Sequence, residues 1–137
     1  MDIPAKPFRF GVVATPHAGP DRWIATARRV EELGYTTLLM PDGIQLPSPF
    51  PALAIAAQAT QELRVGTFVL AAPLRTPYQA AYEAHSLSVL TAGRFDLGIG
   101  TGRPVVERQA ATVGLPFGTA AERRAQVERT IATLREL

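Results

Sequence analysis

ARRVEELGYTTLLMPD, residues 27–42, holds the pattern on which the fold turns. Ala27, Val30 and Leu33, with Trp23 a turn earlier, recur at helical spacing. Gly34 supplies a stop, residues 36–40 form a short apolar run, and Pro41-Asp42 ends it. A helix closed by glycine that feeds a buried strand is the second half of a βαβ unit. Working toward the N-terminus, residues 8–14 (FRFGVVA) read as the strand before that helix. Pro20 opens the helix as a first-turn residue after the loop Thr15-Pro16-His17-Ala18-Gly19.

The same rhythm continues toward the C-terminus. A proline-rich loop over 41–50 leads to an alanine-rich helix expected over 51–61, and residues 64–70 (RVGTFVL) form a third strand rich in β-branched residues. After the loop 71–75, Thr76-Pro77-Tyr78-Gln79 carries the signals of a capping box, and Gly93 ends that helix. Residues 94–99 (RFDLGI) read as a fourth strand, followed by Gly100-Thr101-Gly102-Arg103-Pro104 and a short helix near 105–113. Thr119-Ala120-Ala121-Glu122 is a second capping box, opening a last helix with Val127, Ile131 and Leu134 as its apolar stripe. Four βα units in succession predict an α/β fold with a parallel sheet and crossover helices. Four units make either a small open sheet or half of an eight-unit barrel, which needs roughly 250 residues. A half-barrel leaves two strand edges and one sheet face to be covered by something else.

Composition narrows the function. The chain has 137 residues, with 14 basic against 12 acidic side chains, a net +2, and its longest Lys/Arg run is two residues. We therefore expect no nucleic-acid or anionic-membrane partner. Cysteine is absent and there are two histidines, so no thiol nucleophile, disulfide or metal site is expected. The longest uncharged stretch, 43–61, contains Pro47, Pro49 and Pro51 and is not expected to span a membrane. No signal peptide is read in the opening residues, and the expected location is cytoplasmic.

In parallel α/β folds reactive groups gather at the C-terminal ends of strands. Gly98-Ile99-Gly100-Thr101-Gly102 lies at one such end. A dinucleotide fingerprint would need glycine where Arg103 or Val105 stands, and the lysine of a phosphate-binding loop is missing. The cluster serves either a tight turn with unusual backbone angles or close approach of backbone to a flat ring. Asp42 either accepts a hydrogen bond from a cofactor or substrate, or caps its own loop. His17 is a proton donor or a solvated loop residue, His85 reads as structural, and Arg103 either holds an anion or is simply exposed. No triad or carboxylate pair is evident, which favours chemistry carried by a bound cofactor.

Several segments together resemble the luciferase-like monooxygenases. They are residues 27–35 with 38–42, residues 63–70, the turn Pro73-Leu74-Arg75-Thr76-Pro77, residues 86–100, and residues 122–137. The resemblance implies a (β/α)8 TIM-barrel type fold, of which residues 1–137 would be the N-terminal half with the first four βα units. It implies FMN or its deazaflavin analogue coenzyme F-420 in reduced form, and oxygenation or hydride transfer on a small organic substrate. It also implies a homo-oligomer or a missing C-terminal half as partner. By position it assigns Asp42, Thr67, Phe68, Gly100, Thr101 and Gly102 to the cofactor, with a non-prolyl cis peptide at Thr67-Phe68. Two residues depart from the family pattern: Gly43 stands where histidine is common, and Ser88 where aspartate is frequent. The family's later strands, which complete the phosphate-binding end, are not among these residues, so the chain alone is expected to hold a cofactor weakly. The competing readings are a non-catalytic barrel-like subunit that supports a complete partner, and a small α/β binding domain.

Overall fold

The computed structural model describes residues 6–137, so the reading of the first five residues lies outside it. β1 (Gly11–Val13), β2 (Thr37–Met40), β3 (Arg64–Thr67) and β5 (Phe95–Asp96) form one parallel sheet in the order β1-β2-β3-β5. Val12 pairs with Leu38, Leu38 with Val65, and Val65 with Phe95, so one row of side chains runs across all four strands. β4 (Leu70–Ala71) and β6 (Ile99–Gly100) form a second, two-stranded parallel ladder. The helices between the strands are α1 (Pro20–Glu32), α2 (Pro49–Gln58) and α3 (Pro77–Leu90), followed by α4 (Pro104–Thr112) and α5 (Ala120–Glu136).

The core lies between the sheet and these helices. Leu38, Met40 and Val65 are buried with Trp23 and Ala27 of α1, Leu53 and Ala56 of α2, and Ala84 and Leu87 of α3. The Trp23 indole N–H donates to the Ala52 carbonyl at 2.7 Å, which satisfies a polar group inside that packing. Alanine on the buried faces of α2 and α3 lets these helices approach closely. The opposite row, with Val13 half exposed and Leu39 and Asp96 partly exposed, faces away from the helices.

Several boundaries differ from the sequence reading. The expected strands 64–70 and 94–99 are each split in two, because Thr67 replaces the ladder at that point. Its hydroxyl donates to the Gly98 carbonyl at 2.7 Å and accepts the Gly98 N–H at 3.0 Å. α2 begins at Pro49, two residues early, because Ser48 is already extended and proline suits the first turn. β1 is three residues long, and Phe8 and Phe10 are exposed. Leu33 is exposed because α1 has ended before it. On α5 the fully buried position is Thr130, while Val127, Ile131 and Leu134 are half-buried, since this face packs against α3 at its margin. Both capping boxes form, at Thr76 with Gln79 and at Thr119 with Glu122.

Candidate functional site

The C-terminal ends of the strands converge on a cavity of about 600 Å³. Its wall is built from the segment after β2, the break between β3 and β4, the backbone of β6 with the loop that follows, and one side of α4. Of the six residues assigned from the sequence, Asp42, Phe68, Gly100, Thr101 and Gly102 line it. Thr67 does not. It is buried behind the wall, where its hydroxyl holds Gly98. The cis peptide bond joins Phe68 to Val69, one bond beyond the expected Thr67-Phe68. Thr67 keeps its register with Met40 and so remains regular strand, and the departure begins only after it.

Phe68 and Val69 are about half exposed and turn an apolar surface into the cavity, which Val105 and Val106 of α4 extend. The glycines of the fourth-strand end differ in role. A β-carbon on Gly98 would collide with the Thr67 carbonyl, and one on Gly100 would lie 2.9 Å from Val69 Cγ2. Gly102 has φ +81°, and a β-carbon there would crowd Pro73, Val106 and Phe117 at 3.2 to 3.4 Å. Gly102 therefore serves a left-handed turn, whereas Gly100 serves a close approach to the cavity wall.

Asp42 is held firmly. Its side chain is 3% exposed. Its Oδ2 accepts the Ala71 N–H at 2.9 Å and an Arg75 guanidinium N–H at 2.5 Å, and its Oδ1 accepts a second Arg75 N–H at 3.2 Å. A bidentate arginine and a backbone amide on one carboxylate make a strong anchor. Gln45 and Gln109 meet across the cavity wall, the Gln109 amide donating to Gln45 Oε1 at 2.6 Å. Arg103 lines the cavity and is exposed, His17 is an exposed loop residue, and His85 is half-buried within α3.

Sequence reasoning missed Val69, Gln45, Gln109 and Arg75. Val69 read as ordinary strand, and the glutamines belong to no motif. Arg75 stands next to a capping box, and an arginine 33 positions from an aspartate gives no periodic signal. The other bidentate pair, Arg64 with Asp96 at 2.6 and 2.8 Å, starts from the first residue of β3, at the far end of the strand from the cavity. The Arg64 hydrogen bond holds the Asp96 carboxyl below its ordinary range, against the opposing effect of burial. Among the described residues no cluster of His, Asp and Glu is arranged to hold a metal, and no helix is long and apolar enough to cross a membrane.

A parallel α/β domain with a ligand-sized cavity at the carboxyl ends of its strands is the class defined by this fold and site. Comparison with known proteins gives the family. The sequence profile of the luciferase-like monooxygenases matches residues 7–137, and the chain belongs to that family. It is 30% identical over 141 aligned residues to an F420-dependent glucose-6-phosphate dehydrogenase of Microbacterium testaceum, covering 96% of this chain and 41% of that protein. It is 31% identical over 88 residues to the oxygenase component of a flavin-dependent trigonelline monooxygenase of Acinetobacter baylyi, covering 64% of this chain and 24% of that one. The oxygenating constituent of 3,6-diketocamphane monooxygenase from Pseudomonas putida, solved in complex with FMN, shares the fold with a TM-score of 0.75 at 19% identity. That match covers 92% of this chain and 38% of the solved one. The chain thus spans less than half the length of the relatives it matches.

Proposed function

We propose that residues 1–137 are the N-terminal half of a (β/α)8-barrel oxidoreductase that binds reduced FMN or coenzyme F-420 in the cavity at the strand ends. The whole enzyme acts on a small organic molecule, by oxygenation or by hydride transfer. The observation that carries this reading is the cavity itself. Its volume of about 600 Å³ suits a fused-ring ligand, its wall is apolar at Phe68, Val69 and Val106, and bare backbone is presented at Gly100. The relatives' names support the cofactor class, since they include F420-dependent and flavin-dependent enzymes.

When bound, the cofactor supplies the electron pair for the reaction. This chain's residues bind and enclose it. Phe68 and Val69, which line the cavity, would pack against the ring and displace water there, which would limit wasteful side reactions. Gly100 lets the ring approach the strand, the Thr101 hydroxyl offers a polar contact, and Gly102 turns the backbone away toward α4. Thr67 fixes Gly98 from behind, and Asp42 fixes the edge of β4. The helix-free face of the sheet is covered by the second half of the barrel. The cysteine-free sequence suits the reducing cytoplasm, where we place the protein.

A non-catalytic subunit that supports a complete partner is the second reading, favoured by that helix-free face. Titration of the 137-residue chain with FMN and with coenzyme F-420, followed by ligand fluorescence, separates the two. The expected result is weak but saturable binding of one of them. Absence of binding to both overturns the enzyme reading, and a stable complex with a complete family member then supports the second.

A further inference from the structure

The Asp42–Arg75 pair has more anchors than a loop ion pair requires. The guanidinium binds both Asp42 oxygens, lies 5.6 Å from the centre of the Phe50 ring, and is 3.7 Å from Glu83. The Arg75 backbone carbonyl accepts from Gln126 Nε2 at 2.7 Å, and the same amide donates to the Ala72 carbonyl at 2.7 Å. Side chains from α2, α3 and α5 thus converge on one arginine, whose side chain is 14% exposed.

The other end of the pair leads to the cavity. Asp42 holds the Ala71 N–H, and Ala71 is in register with Gly100. The Gly100 backbone in turn approaches Val69 so closely that a β-carbon would be 2.9 Å from Cγ2. One carboxylate is therefore a single hydrogen bond away from the backbone pair that forms the cavity wall.

We propose that Arg75 is a positioning residue for the ligand, acting through Asp42 and Ala71 to set where the β4–β6 wall stands against the bound ring. In this arrangement the main work of Asp42 is to carry that position from Arg75 to the wall. The inference deepens the reading of the cavity as a flavin or deazaflavin site, and rests on it.

The test titrates FMN and coenzyme F-420 into the 137-residue chain and records the visible circular dichroism of the bound ring, which reports the ring's surroundings. Arg75→Met and Asp42→Asn are compared with Arg64→Met, which breaks the other bidentate pair at the opposite end of β3. The expected result is that Arg75→Met and Asp42→Asn, each of which loses charge-assisted hydrogen bonds, weaken binding roughly ten- to a hundredfold and change the ring's dichroism, while Arg64→Met lowers the melting temperature and leaves both readouts as in the unmodified chain. If Arg75→Met does not fold, Asp42→Asn decides by the same two readouts, since asparagine retains an acceptor for Ala71. Reduced melting temperatures with unchanged affinity and dichroism overturn the proposal and leave the cofactor reading standing. If the unmodified chain binds neither probe, the cofactor reading falls and the proposal falls with it.

Discussion

At the residue scale, the glycines and Thr67 make separable predictions. Gly102→Ala forces a β-carbon onto a left-handed backbone, so it is expected to cost about 1 kcal/mol or more of stability, read as an earlier thermal melt. Gly100→Ala pushes only on the end of the Val69 side chain, so cofactor titration should register it more strongly than the melt does. The reverse ranking would show that Gly102, and not Gly100, is the residue that admits the ring. Thr67→Val keeps the shape of the side chain but leaves Gly98 without both of its side-chain hydrogen bonds. Denaturant titration is expected to show a loss of about 1–3 kcal/mol. An unchanged midpoint would mean that the neighbouring Leu70 amide, which already donates to the Gly98 carbonyl at 2.7 Å, suffices to hold the strands there.

At the element scale, Glu31 in the last turn of α1 accepts backbone N–H groups from Gln61, Glu62 and Leu63 at 2.7 to 3.2 Å, fastening the helix to the loop that enters β3. Burial pushes its carboxyl up, but the three amides and the nearby Arg94 charge outweigh it, and the net effect lowers it below 4.5. Asp96 is lowered by Arg64. Carboxyls that titrate lower in the folded chain stabilise it fully above their ordinary range, and the contribution is lost as pH falls through the folded values. Acid titration followed by far-ultraviolet circular dichroism is therefore expected to show stability declining below pH 4.5, and Glu31→Gln should flatten part of that decline. An identical acid profile for the variant would dismiss the Glu31 fastening as a contributor.

Elements of this kind were legible in the sequence to different degrees. The two capping boxes, the glycine stop at Gly34 and the order of four βα units could be read directly, because each depends on residues within a few positions of one another. The split strands could not, because the break is set by a hydroxyl on β3 meeting a glycine 31 residues later. Five of the six assigned site residues line the cavity, since strand ends are readable from the strands. Val69, Gln45 and Gln109 stayed hidden because only tertiary contact brings them to the cavity, and Arg75 because only tertiary contact brings it to Asp42.

At the scale of the whole molecule, the sheet has helices on one face only among the described residues, and Val13 and Leu39 lie on the other. β1 and β5 stand at the outer positions of the four-strand order. Unpaired parallel edges and a sheet face without helices favour association. Sedimentation velocity of the 137-residue chain is expected to show species larger than its 14.7 kDa monomer. A compact monomer with sharp cooperative unfolding would count against the half-barrel proposal. The lone tryptophan offers an optical handle on the same molecule. Trp23 is 3% exposed and bonded to Ala52, so its indole reports the seam between α1 and α2, and no cavity-lining residue belongs to either helix. Its intrinsic emission should hold steady while a variant disturbs the strand-end cavity and shift only when the helical layer comes apart. Local damage and global collapse would then be told apart in a single cuvette, without a label.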